Sequence, residues 1–221
     1  MAEISTRHAG IGMTSQRTRD RLIERLRAQG IRDEVVLAAM NAVPRHIFVD
    51  EAMASRAYDD VSLPLGFGQT ISQPYIVARM IEIARDGKPL DRVLEIGTGC
   101  GYQAAVLAQV ARKVYSVERV KPLYQRATAC LNELGTTNVT LRYADGSVGW
   151  PEMAPFDGII MAAAATHVPP ALLEQLAPGG RMVLPLGAPE QSLCLIARTA
   201  QGYCETRIEP VRFVPLMMGK A

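Results

Sequence analysis

The sequence predicts an α/β fold, doubly wound around a mainly parallel seven-stranded sheet, with helices ahead of the sheet and antiparallel strands at its end. Three observations carry this. From Lys88 onward, short apolar runs rich in Val, Ile and Leu alternate with longer stretches of helical spacing, the pattern of strands buried beneath crossover helices. One run, Val93-Leu94-Glu95-Ile96, opens directly into Gly97-Thr98-Gly99-Cys100-Gly101 and a helical stretch from Tyr102 to Val110. Near the end of the chain the helices stop. The links Gly187 to Gln191 and Ala200 to Gly202 are short and turn-like, so the strands they join should run antiparallel.

In order, residues 1–13 read as a loose polar tail. Leu22, Ile23 and Leu26 recur at helical spacing between Thr14 and Gln29, and Gly30 is placed to end that helix. Its many arginines suit a solvated face better than an acidic partner. Asp33 is a cap for a second helix through Met40, which must end before Pro44. A turn-rich connector runs from Tyr58 to Gln73. Ser72 is expected to cap the helix that follows, with Pro74 in its first turn and Arg85 near its end. The core strands are expected at Val93–Ile96, Lys113–Val117, Val139–Tyr143 and Phe156–Met161. Three more are placed at Arg181–Leu186, Leu193–Ala197 and Val211–Val214, with helices over Val120–Leu134 and Thr166–Leu176.

With 48% hydrophobic residues and only 5% aromatic ones, a sizeable core is available and must be built from aliphatic side chains. The net charge of +2 comes with no basic stripe, which argues against a nucleic-acid partner. Four cysteines are scattered without a C-x-x-C and three histidines lie far apart, so no metal site is expected. No apolar run reaches membrane-spanning length and no signal-peptide core stands out. A cytoplasmic monomer without membrane contact is the expectation.

Strand, glycine turn and helix make a cradle in which backbone N–H groups can approach an anionic or nucleotide ligand. The dinucleotide spacing G-x-G-x-x-G would need a third glycine where Tyr102 stands. The spacing E-x-G-x-G-x-G from Glu95 is instead similar to the first motif of S-adenosylmethionine-dependent methyltransferases. Glu118 ends the next strand, where a carboxylate can accept from both ribose hydroxyls. Nicotinamide enzymes do the same, so Glu118 alone does not separate the cofactors. Asp145-Gly146 ends the third strand and reads equally as an adenine contact or as a simple Asp-Gly turn. After the fourth strand stands Ala162-Ala163-Ala164-Ala165, which offers no polar grip on a nucleobase amine.

From about Val43 the chain resembles the protein-L-isoaspartate O-methyltransferase family. The resemblance rests on Gly68-Gln69-Thr70-Ile71-Ser72-Gln73-Pro74-Tyr75, Val93 to Tyr102, Phe156 to Ile160 with its alanines, Leu176 to Arg181 and Val211-Arg212-Phe213-Val214-Pro215-Leu216. It implies a Rossmann-like methyltransferase core over 87–221 and an N-terminal helical, substrate-side extension over 1–86, within one compact whole. It also implies methyl transfer from S-adenosylmethionine to the free α-carboxylate of L-isoaspartyl residues in damaged peptides and proteins. Ser72 matches the family's active-site serine, with Thr70, Ile71 and Gln73 on the substrate side. Glu95, Gly97, Thr98, Gly99, Gly101, Glu118, Arg119, Asp145 and Gly146 match its cofactor contacts. Ala144 departs from the family's usual glycine, and the chain after Leu216 is short and apolar. Two other classes stay open at this level: a methyltransferase of another carboxylate or small molecule, and a module that binds S-adenosylmethionine without catalysis.

Overall fold

The computed structural model describes Thr6–Ala221, and side chains from His8 onward; the first five residues of the expected tail lie outside the described residues. The rest of that tail is not loose. A short helix α1 (Thr6–Ala9) and a 3-10 turn (Gly12–Thr14) lead into α2 (Gln16–Ala28) and α3 (Glu34–Ala42). Asp33 caps α3 as expected, accepting from the Val35 and Val36 amides at 2.9 and 3.3 Å. Arg85, at the end of α4 (Pro74–Arg85), reaches back to that cap and pairs with Asp33 at 2.9 Å. The arginines of α2 divide. Arg27 stays at the surface between Glu24 and Glu34, while Arg19 is buried and donates to the Ala9 carbonyl.

The connector holds structure that composition does not reveal. β1 (Leu63–Gly66) and β2 (Gln69–Ile71) form an antiparallel hairpin. Its turn needs positive φ at Gly66, Phe67 and Gly68 in succession, which costs a glycine little and a phenylalanine more.

The main sheet follows: β3 (Leu90–Ile96), β4 (Ala111–Glu118), β5 (Val139–Tyr143), β6 (Phe156–Met161), β7 (Leu176–Leu186), β8 (Gln191–Thr199) and β9 (Gly202–Val211). Their order is β5-β4-β3-β6-β7-β8-β9, parallel as far as β7 and antiparallel for β8 and β9. Side chains alternate between two cores. Val93 and Val114 join the cluster beneath α2 to α4, α5 (Tyr102–Val110) and α6 (Lys121–Glu133). Leu94, Ile96, Tyr115 and Val117 face the other side, against Trp150, Phe156 and Leu172.

Two expected elements move. The last helix, α7, covers only Pro170–Gln175 rather than Thr166–Leu176, because Pro169 and Pro170 each drive the residue before them out of helical conformation. The last strand is Gly202–Val211, not Val211–Val214. β9 is an edge strand with most of its residues exposed and polar, so it carries no apolar run to be read.

Candidate functional site

The chain winds from β3 outward through β4 to β5 on one side, then crosses back to lay β6 against the other side of β3. This is the switch point at which open α/β sheets bind ligands, beyond the carboxyl ends of the strands. A cleft of about 840 Å³, open mouth included, lies there. Its walls are the Gly97–Cys100 loop, the end of β4 from Val117 to Val120, Gly146, the hairpin side from Gln69 to Ser72, Ala162, Ala163 and the segment Val214–Met217.

The loop follows from its glycines. Gly97, Gly99 and Gly101 have φ of +91°, +56° and +92°, all in the left-handed region where a Cβ is strained. They serve different ends. A Cβ on Gly99 would meet only Leu65 Cδ1, at 3.6 Å, whereas one on Gly101 would press on Ala127 at 3.2 Å. Gly99 thus keeps cleft space open, and Gly101 lets α5 approach α6.

Glu118 holds the loop in shape. Its two oxygens accept from Gly99 N at 2.7 Å and Val120 N at 2.8 Å. Burial pushes its carboxyl above the ordinary range, although those two amides pull the other way. Beneath the loop runs a buried polar chain. Thr98 Oγ1 and Ser116 Oγ are 2.6 Å apart, Ser116 Oγ donates to Glu95 Oε2 at 2.5 Å, and Gln103 Nε2 donates to Glu95 Oε1 at 3.1 Å. Glu95 is fully buried and its carboxyl is pushed up to about 8, chiefly by loss of solvent.

Of the residues singled out above, Gly97, Thr98, Gly99, Glu118, Arg119, Gly146, Thr70, Ile71 and Ser72 stand together in the cleft wall. Four stand elsewhere. Glu95 lies under the loop and reaches the wall through Gln103 and, by way of Ser116, through Thr98, because its position in the strand alternation faces α5. Gly101 is a helix-packing glycine. Gln73 lines the adjoining groove, and its amide is tied to Asp60 Oδ2 at 3.0 Å. Asp145 accepts from Ser147 N and from Gly219 N, at 2.8 and 2.6 Å. Burial would raise its carboxyl, but these donors outweigh that and hold it low.

Ser72 is not the helix cap expected of it. The N-cap position of α4 is Gln73, whose side chain makes no capping bond. Asp60 supplies the acceptor instead, taking Tyr75 N at 2.9 Å. The Ser72 hydroxyl makes no hydrogen bond among the described residues. It stands where the cleft meets a second groove, since Thr70, Ser72, Ala162 and Val214 line both.

The far wall was legible only through the resemblance. Ala164 N donates to Val214 O and Leu216 N to Ala164 O, at 2.8 and 2.7 Å, so the alanine edge of β6 holds Val214–Leu216 by its backbone alone. The chain then crosses the cleft rim. Arg119 Nε donates to Gly219 O at 2.9 Å, and the Lys220 ammonium sits 5.1 Å from the centre of the Tyr143 ring.

Comparison with known proteins places this architecture. The family model for protein-L-isoaspartate(D-aspartate) O-methyltransferase matches residues 17–221. A protein-L-isoaspartate O-methyltransferase of Dechloromonas aromatica is 65% identical over 211 residues, covering 95% of this chain and 98% of that protein. One of Methylobacillus flagellatus is 63% identical over 215 residues, 96% of each. Among solved structures, a protein-L-isoaspartate O-methyltransferase superposes with a TM-score of 0.83 at 29% identity, over 91% of this chain and 67% of that one. A β-aspartate methyltransferase from Plasmodium falciparum, solved with S-adenosyl-L-homocysteine, gives 0.76 at 26% identity, over 90% and 98%. A seven-stranded sheet with a glycine-loop cleft at its switch point, completed by the hairpin and the Val214–Leu216 segment, therefore carries a shown kinship: the chain belongs to the protein-L-isoaspartate(D-aspartate) O-methyltransferase family, enzymes that methylate isoaspartyl residues.

Proposed function

We propose that the cleft holds S-adenosylmethionine along Gly97–Gly99 and Glu118, and that Ser72 orients the free α-carboxylate of an L-isoaspartyl residue entering from the adjoining groove. The observation that carries this is the Ser72 hydroxyl, relieved of capping by Asp60 and standing at the junction of the two cavities. The residues fit the cofactor. The loop is free of side chains where Gly99 faces the cleft, Glu118 closes its ribose end, and Leu65, Val77, Leu123 and Leu216 give an apolar lining. When bound, S-adenosylmethionine supplies a methyl group on a sulfonium, an electrophile that needs no further activation.

The chain's own task is then alignment and dehydration. An α-carboxylate is already ionised at neutral pH, so no base has to create the nucleophile. The one carboxylate in the cleft wall among the described residues, Glu118, is engaged with loop amides. Ser72 donates to one carboxylate oxygen and leaves the other facing the methyl group, while Ile71 and Val214 displace water from it. The methyl ester so formed is attacked by the following backbone nitrogen and closes to a succinimide with loss of methanol, and hydrolysis of the succinimide yields aspartate in part. In this reading residues 1–86 supply most of the substrate side and 87–221 most of the cofactor side, with Val214 joining the first and Leu65 and Val77 the second. The protein works as a monomer in this reading, and four free thiols suit the reducing cytoplasm.

The test pairs an L-isoaspartyl peptide with its normal aspartyl counterpart and labelled S-adenosylmethionine. Label should enter the first as a base-labile ester and leave the second unlabelled. Equal labelling of both would defeat the substrate assignment.

A further inference from the structure

Arg45 is the largest side chain that the fold buries completely. It sits in a 3-10 turn, Arg45–Phe48, directly behind the substrate side of the cleft. Its Nε donates to Ala57 O and its Nη2 to Ser72 O, both at 2.8 Å. Its guanidinium carbon lies 4.8 Å from the centre of the Tyr102 ring, and Tyr102 itself lines the cleft. The third nitrogen, Nη1, is buried and has no hydrogen-bond partner among the described residues.

No acidic side chain forms an ion pair with Arg45 among the described residues, and Arg19 is the only other described residue with a buried nitrogen left unpartnered. The titratable groups that act on it most are Tyr102, Cys100 and Tyr58, which are neutral at pH 7 and which burial pushes further from ionising, with the Asp60 carboxylate a weaker influence. A guanidinium does not shed its proton at such a site. The fold therefore carries a buried positive charge with no ion-pair partner among the described residues, offset only by the Tyr102 ring and the weaker influence of Asp60, and bonded to the Ser72 carbonyl. Burying a lone charge is costly unless something of opposite sign arrives. The acceptor in this reaction is an anion that must leave water to react.

We infer that Arg45 is a positioning residue for the acceptor: it fixes the Ser72 backbone and supplies the buried positive charge that offsets the substrate carboxylate as that group is dehydrated. This rests on the reading that the carboxylate docks at Ser72. It adds a source of selectivity. A group of the same shape without the charge, an α-carboxamide, would be left beside an unsatisfied cation and bind worse.

The experiment measures, in the presence of S-adenosylhomocysteine, the affinity of an isoaspartyl peptide and of its α-carboxamide counterpart. The unmodified enzyme should prefer the carboxylate by about tenfold or more, and should keep that preference in about 0.5 M salt because a buried charge is poorly screened. Arg45→Met should abolish the preference and leave S-adenosylhomocysteine affinity within about threefold. Arg45→Lys keeps the charge but cannot bridge Ala57 and Ser72, so it should retain most of the preference with a lower kcat. Equal weakening of both peptides in Arg45→Met, or an unchanged preference, would reduce Arg45 to a structural tie. If Arg45→Met does not fold, a folded Arg45→Lys that has lost the preference overturns the proposal, as does an unmodified enzyme that shows none. The Ser72 reading fails separately, when Ser72→Ala keeps the full rate while Arg45→Met still loses the preference.

Discussion

The two sides of the cleft are built on different principles. The side proposed for the cofactor is nearly continuous in sequence: strand, glycine loop, helix and strand run from Leu90 to Glu118, and the acid at the end secures the loop at the beginning. The side proposed for the substrate is assembled from pieces far apart in the chain. Ser72 follows a hairpin, Arg45 braces it from a 3-10 turn, Asp60 caps the helix beside it, and Val214 closes over it from beyond the last strand. A local cradle tolerates change at a distance but not within its loop. An assembled wall is exposed to change in any of its braces.

The largest expected effect strikes the cradle. Gly99→Val puts a branched side chain at φ +56° with only Leu65 in reach, so the fold should persist by circular dichroism. S-adenosylhomocysteine affinity should fall about a hundredfold or more by calorimetry, since the side chain enters the space the ligand needs. Normal affinity would mean that the loop is not the cradle.

Ser72→Ala should split the two sides. Cofactor affinity should hold while single-turnover methylation of an isoaspartyl peptide falls about ten- to a hundredfold, the worth of a hydrogen bond to a charged group. With Asp60 as the cap, Tm should scarcely move; a stability loss of about 1 kcal/mol with an intact rate would return Ser72 to a capping role.

Glu118→Gln comes next. It removes the charge but leaves one acceptor for the loop amides, so S-adenosylhomocysteine should bind about tenfold more weakly, with NAD binding to neither protein. Tight NAD binding by the unmodified enzyme would break the assignment of the cradle.

A smaller effect, on stability alone, is expected at Glu95. Its carboxyl is raised to about 8 in the fold against about 4.3 in an unfolded chain. The folded state holds the proton more tightly, so this contribution is full below about pH 4 and is lost as pH rises through about 8. Glu95→Gln cannot ionise, so its Tm should gain on the unmodified protein between about pH 5 and pH 9. A constant difference across that range would show that Glu95 keeps its ordinary carboxyl.

The smallest effect concerns the rim. Arg119→Ala releases the Gly219 carbonyl, and amide exchange at Gly219 and Ala221 should quicken about tenfold while kcat changes less than about threefold. Unchanged exchange would mean that Asp145 and Lys121 hold the tail without Arg119.

What could be read in the sequence follows the same division. β5, β6 and α5 stand where periodicity put them, and the antiparallel end of the sheet followed from the brevity of its links. The roles of Glu95 and Gly101 were not legible, because a motif gives spacing but not which face of a strand or helix each member turns to. The β1–β2 hairpin was hidden in glycines that read only as turn, and β9 in polar residues that read as link.

By itself, then, the sequence determined what hydrogen bonding and side-chain alternation settle locally: the strand, glycine loop and helix from Val93 to Val110, the cap at Asp33 and the acid that ends the next strand. Only the tertiary structure decided that Asp60 replaces Ser72 as a cap, that Arg45 stands unpaired behind Ser72, and that Val214–Leu216 returns to the alanine edge of β6. Each of these joins positions distant in the chain. Such contacts form only after the core has fixed both partners, and no local pattern records them.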